Sequence, residues 1–113
     1  MSQHKKDIRR QFRDKSFRRD KYRCRVCGFK PPTAAEITTL LDCHHINSRD
    51  LMPAGGYVPE NGISLCADCH IKAEEYWRTG TAIEGYSPED LYKLIGSSYE
   101  LAVEMSLKLE KKQ

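Results

Sequence analysis

Two Cys-x-x-Cys pairs, Cys24 with Cys27 and Cys66 with Cys69, stand far apart in a chain of 113 residues and constrain its fold more than any other feature. A chain this short buries a smaller share of its surface than a larger protein does and gains most from a staple. Two close-spaced pairs supply four soft ligands for a tetrahedral zinc ion, and such a site closes the long loop between them. The odd count of five cysteines suits a pure disulfide framework poorly. Cys43, the one left over, reads as a small buried hydrophobe in a strand. A small, zinc-stabilised α+β domain is therefore expected.

The net charge of +3 conceals an asymmetry. From Met1 to Lys30 there are twelve Lys and Arg against three Asp; the rest of the chain has seven against thirteen acids. Basic character confined to one end suggests a polyanionic partner, nucleic acid being the commonest, although a solvated basic helix would read the same way. No apolar run is long enough to span a membrane. The start, Met1 to Lys6, has no apolar stretch of the kind a secretory leader needs, so a cytoplasmic chain with reduced thiols is expected.

Along the chain, Lys6 to about Asp20 lacks Gly and Pro, and Ile8 with Phe12 gives one apolar side to a basic helix. Tyr22 to Gly28 reads as a zinc knuckle, and Thr33 to Thr38 fits a helical turn or a loop. Thr39 to Ile46, rich in β-branched and aliphatic residues, predicts a strand, and Ile63 to Leu65 its hairpin partner. The loop between them, Asn47 to Asn61, is long enough to suspect function. A helix is expected from Ala67 to Arg78, closed by Gly80. Ser87-Pro88-Glu89-Asp90 opens another at Leu91 to Ile95, and the capping-box pattern Ser97-x-x-Glu100 opens a last one toward Lys108. Residues 1–79 are read as one domain and 80–113 as a helical extension packed on it or prolonging it.

Within the cysteine frame lies Asp42-Cys43-His44-His45-Ile46. Side chains alternate across a strand, so adjacent histidines point to opposite faces. Phosphodiester hydrolysis needs an attacking water in line with a leaving oxygen on the far side of phosphorus, so a base and a metal must approach from different directions. Two consecutive histidines meet that demand once His70, beside the second cysteine pair, is brought to the strand.

Cys24-x-x-Cys27, His44-His45-Ile46, Gly55-Gly56, Asn61 and Cys66-x-x-Cys69-His70 together resemble the HNH endonuclease family, over roughly Phe12 to Glu75. The resemblance implies a ββα-metal (His-Me finger) core, flanked here by the basic helix and the C-terminal helices, in a metal-dependent DNA endonuclease or nickase. It puts His44 in the place of a first metal ligand, His45 in that of the general base and His70 in that of the final ligand. Asn61 matches the middle asparagine, which braces the loop in many members and is a ligand in others. Asp42 resembles an acid that supports a ligand in some nuclease colicins; an exposed strand carboxylate is the plainer reading. Glu74, one helical turn after His70, is added as a possible third ligand. Arg13, Arg18, Arg19 and Arg49 are candidates for phosphate contacts.

The cofactors expected are a structural zinc and a catalytic divalent cation. Magnesium or manganese suits the latter by abundance, while a two-imidazole site favours zinc or nickel in affinity. If His45 keeps the ordinary histidine pKa of roughly 6.5, activity fails at acid pH. The expected partner is DNA, in a free-standing bacterial or phage protein that acts alone or within a larger assembly. A non-catalytic zinc adaptor for nucleic acid or protein is the competing reading.

Overall fold

The computed structural model describes residues 3–112, and everything in it is arranged about one antiparallel hairpin. Met1 and Ser2, with which the segment read as lacking a leader begins, lie outside the described residues. The first helix, α1 (Gln3–Arg19), turns Phe12, Ser16 and Phe17 inward and leaves most of its Lys and Arg in solvent. A single helical turn, α2 (Ile37–Leu40), leads into β1 (Leu41–His45), which pairs with β2 (Gly62–Cys66). β2 runs directly into α3 (Ala67–Thr79), and α4 (Pro88–Leu94) and α5 (Tyr99–Lys112) complete the chain. Among the described residues no helix is long and apolar enough to cross a membrane.

The strand begins two residues later than the composition of Thr39 to Ile46 suggests. Leu41 N–H closes α2 on the carbonyl of Ile37, so Thr39 and Leu40 belong to that turn despite their β-type neighbours. Thr33 to Thr38, open between turn and loop, is a 3-10 turn at Ala34–Glu36 followed by the start of α2. Beyond the strand, Ile46 N–H still bonds the Asn61 carbonyl at 2.8 Å. The register sets His44 opposite Ile63 and His45 opposite Gly62. A Cβ on Gly62 would stand 2.6 Å from the Phe12 ring and 2.8 Å from Ser16 Oγ. Only glycine lets α1 lie this close to the hairpin.

Asp20, at the end of α1, is 2% exposed and secures the outer edge of β2. Its Oδ2 accepts from Ser64 N–H at 3.0 Å, and Arg25 N–H bonds the Ser64 carbonyl at 2.9 Å, so that edge is not left open. Arg19 grips both Asp20 oxygens at 2.8 Å and donates to the carbonyls of Pro59 at 2.6 Å and Gly62 at 2.7 Å. Four of the five N–H donors of Arg19, one of the arginines expected to contact phosphate, are thus engaged by the chain's own acceptors.

Leu65 and Ile63 of β2, Ala73 of α3, Leu91 and Tyr92 of α4 and Ala102 of α5 belong to one buried cluster. α4 starts as its sequence suggests, with Ser87 Oγ accepting from Asp90 N–H at 3.1 Å and Pro88 in the first position. α5 differs in detail. Its capping hydroxyl is that of Ser98, which accepts from Leu101 N–H at 3.0 Å, whereas Ser97 donates to the Glu60 carbonyl at 2.8 Å and so ties the tail to the hairpin loop. Asp20→Ala, which strands the amide of Ser64 and the guanidinium of Arg19, is expected to lower unfolding stability by about 3 kcal/mol, read as a fall in the urea midpoint.

Candidate functional site

The ligand atoms of Cys24, Cys27, Cys66 and Cys69 all lie within 4.8 Å of one another. The five cysteines are free thiols, and the sulfurs of Cys27 and Cys66 stand 3.6 Å apart, in contact without a bond. Burial alone would raise the Cys24 thiol, yet the backbone amides of Cys27, Cys66 and Val26 pull it down to about 7. Amides that stabilise a thiolate are what a tetrathiolate site requires. A four-cysteine cluster of this kind is consistent with a zinc-stabilised domain. Cys66 ends β2 and Cys69 lies in the first turn of α3, so the cluster also fixes where that helix begins.

One turn further along α3 is a second convergence, of His44, His70 and Glu74, whose ligand atoms again lie within 4.8 Å of one another. Glu74 Oε1 stands 3.2 Å from His44 Nδ1 and 3.1 Å from His70 Nε2. The other nitrogen of His70, Nδ1, is 3.0 Å from Asp42 Oδ2. Each ring nitrogen of His70 thus faces a carboxylate, and a neutral imidazole can donate to only one of them; with the proton on Nδ1 toward Asp42, the Nε2 lone pair faces the Glu74 oxygen. Two lone pairs set against each other are relieved by a cation between them. Burial, and then the charges of His70 and His45, lower His44 to about 3 and keep its ring neutral, and its Nε2 is buried without a partner. The donor set, two imidazoles and a carboxylate, fits a divalent ion, and Asp42 is the group that orients one of the imidazoles.

The hairpin sends His45 the other way. Its ring stacks on Phe12 at 4.6 Å and meets Tyr57 edge-on at 4.7 Å between ring centres. Tyr57 is in turn placed by Arg49, which donates to its hydroxyl at 3.1 Å, and by Arg9, 5.3 Å above its ring. Burial first, and the charges of Arg49 and Arg9 after it, lower His45 to about 4. This replaces the value near 6.5 expected for an unshifted histidine. A base with a depressed pKa stays deprotonated until the pH falls through the lower value, so the imidazole is free to accept a proton across the whole neutral range.

His44 and His45 nevertheless open onto one cleft of about 310 Å³, shared with Ser48, Arg49, His70, Glu74 and Trp77. On the α1 side His45 also lines a groove of about 470 Å³ whose walls include Lys6, Arg9, Arg10 and Arg13. Arg18 is exposed but belongs to neither wall. Cys43 is half-buried and lines both openings, with its thiol pushed up to about 12 by burial.

Asn61 stands apart from the triad, fully buried, with its amide committed to the loop. Its Nδ2 donates to the carbonyls of Asn47 at 3.1 Å and Gly56 at 3.2 Å, while its Oδ1 accepts from Asn47 N–H at 3.0 Å and the Tyr92 hydroxyl at 2.6 Å. A Cβ on Gly56 would sit 2.6 Å from that Nδ2, so the glycine is needed for the brace to fit. Arg9, Tyr57 and Trp77 join the site without being among the residues expected there from sequence. Arg9 had a signal in its basic run; the two aromatic residues are placed only by long-range packing.

Residues 24–75 match the family described as HNH endonuclease. No curated protein and no solved structure matches the chain. Cobalt added in place of the native ion is expected to give thiolate-to-metal charge-transfer absorption in wild type, and Cys24→Ser should weaken it and lower the melting temperature; an unchanged spectrum would exclude Cys24 as a ligand.

Proposed function

From the match of residues 24–75 to the HNH endonuclease family, we propose that the chain hydrolyses DNA phosphodiester bonds as a divalent-metal-dependent endonuclease or nickase. The carrying observation is the opposed placement of two adjacent histidines that open onto one cleft, His44 among His70 and Glu74, His45 against Phe12 and Tyr57. In this reading Cys24, Cys27, Cys66 and Cys69 hold a structural zinc, while His44, His70 and Glu74 hold the catalytic cation.

His45, neutral, takes a proton from a water in the cleft, and the water oxygen forms its bond to phosphorus as the bond to the 3′-oxygen breaks, leaving a 5′-phosphate. Phe12 and Tyr57 hold the imidazole plane during this transfer, and Asn61 keeps the loop behind it closed. His44, His70 and Glu74 would hold a divalent cation, which when bound would supply charge stabilisation for the phosphate and the departing oxygen. Arg49, exposed at the mouth, is placed to offset phosphate charge. Two imidazoles with a single carboxylate favour manganese, zinc or nickel over magnesium, which prefers oxygen ligands.

The groove lined by Lys6, Arg9, Arg10 and Arg13 is the proposed seat of the DNA backbone, and it leads to His45. Contacts of this kind position the strand without reading its sequence. Supercoiled plasmid incubated with manganese should be nicked by wild type and at least about 100-fold more slowly by His45→Ala, with DNA binding retained; equal rates would remove His45 from the chemistry. Arg9→Ala combined with Arg13→Ala should weaken binding to every sequence alike and reduce the salt slope of log K by about two. An unchanged slope would place the backbone elsewhere.

A further inference from the structure

Trp77, the sole tryptophan of the chain, lines the cleft of His44 and His45 and also a second cleft of about 530 Å³ behind it. Tyr76, Tyr99 and the largely buried Tyr92 also line this second opening, and Asn47, two residues beyond His45, borders it. Tyr76 and Trp77 meet edge to face, 5.0 Å between ring centres. Tyr92 is held through its hydroxyl to Asn61 Oδ1 at 2.6 Å, so the aromatic cleft is registered against the same residue that closes the loop beside His45. We propose that this cleft receives an unpaired nucleobase adjacent to the scissile phosphate, so that the favoured substrate is single-stranded or locally unpaired nucleic acid.

The lining selects the occupant. Glu89 and Glu100 line the cleft, and the only Lys or Arg in its lining, Lys93, has its ammonium 3.3 Å from Glu89. Such a rim repels phosphate. A nucleobase is neutral, brings a flat π face to the aromatic rings, and offers exocyclic amino groups to carboxylate acceptors. A base inside a continuous duplex has both faces covered by its neighbours and cannot enter without being extruded. The basic groove on the α1 side and the aromatic cleft on the α3 side thus take different parts of one strand, backbone on one side and base on the other. The inference rests on the nuclease reading of the cleft between them.

The lone tryptophan makes the test direct. Wild type without added divalent metal is titrated with a short oligodeoxyadenylate, with a blunt duplex of equal length and with an abasic strand of equal length, following Trp77 emission. The single strand should quench it, the abasic strand should not, and the duplex should quench far less. Tyr99→Ala, at an exposed position outside the His44 and His45 cleft, should weaken single-strand binding about tenfold and leave duplex affinity by anisotropy unchanged. Equal quenching by duplex and single strand, or unaltered affinity in Tyr99→Ala, would overturn the proposal. Plasmid nicking without quenching also overturns it while sparing the nuclease reading; quenching without nicking does the reverse, leaving base capture in place.

Discussion

Four thiols drawn within 4.8 Å bring together three stretches that are distant in the chain: the turn after α1, the end of β2 and the first turn of α3. The position of α3 follows from that meeting. His70 comes directly after the last of the four, and Glu74 one turn later, so the triad's place is tied to the cysteine cluster, three of whose members also belong to the hydrophobic core. A small core centred on Ile63, Leu65 and Ala73 then has only to orient a helix whose starting point is already set.

The hairpin acts as a partition. Successive side chains of β1 leave on opposite faces, so that Asp42 and His44 meet α3 while Cys43 and His45 meet α1. The charge asymmetry of the chain becomes spatial across it. Arginine and lysine lie along the α1 side, and the carboxylates of Asp42 and Glu74 lie on the other. His45 is exposed to the cationic side, where Arg49 and Arg9 add to burial in holding it neutral, whereas Glu74 and Asp42 surround His70.

What was legible in the sequence is what local spacing governs. The Cys-x-x-Cys pairs, the opposed directions of His44 and His45, and Glu74 on the same helical face as His70 all follow from periods of two or of 3.6 residues. What was not legible depends on partners distant in the chain. Arg18 and Arg19 look alike in sequence, but only Arg19 meets the Pro59 and Gly62 carbonyls and is tied into the fold. The low pKa of His45 likewise comes from burial against Phe12 and Tyr57, which no local pattern announces. Ser97 and Ser98 are equivalent as capping candidates until the Glu60 carbonyl claims the first of them.

The loop from Asn47 to Asn61 is fastened at its own ends, since the backbone N–H and C=O of Asn47 are both bonded to the Asn61 side chain, at 3.0 and 3.1 Å. Between those ends Met52 and Gly56 are buried and Tyr57 meets the His45 ring, so only Arg49 to Leu51 form an exposed tip. At that tip Leu51 is 63% exposed, and lengthening a clasped loop costs free energy only logarithmically in its length. That exposed stretch is therefore the part of the segment where descendants of this chain can accept insertions, new recognition elements among them, with least disturbance of Tyr57 and of the histidine it meets.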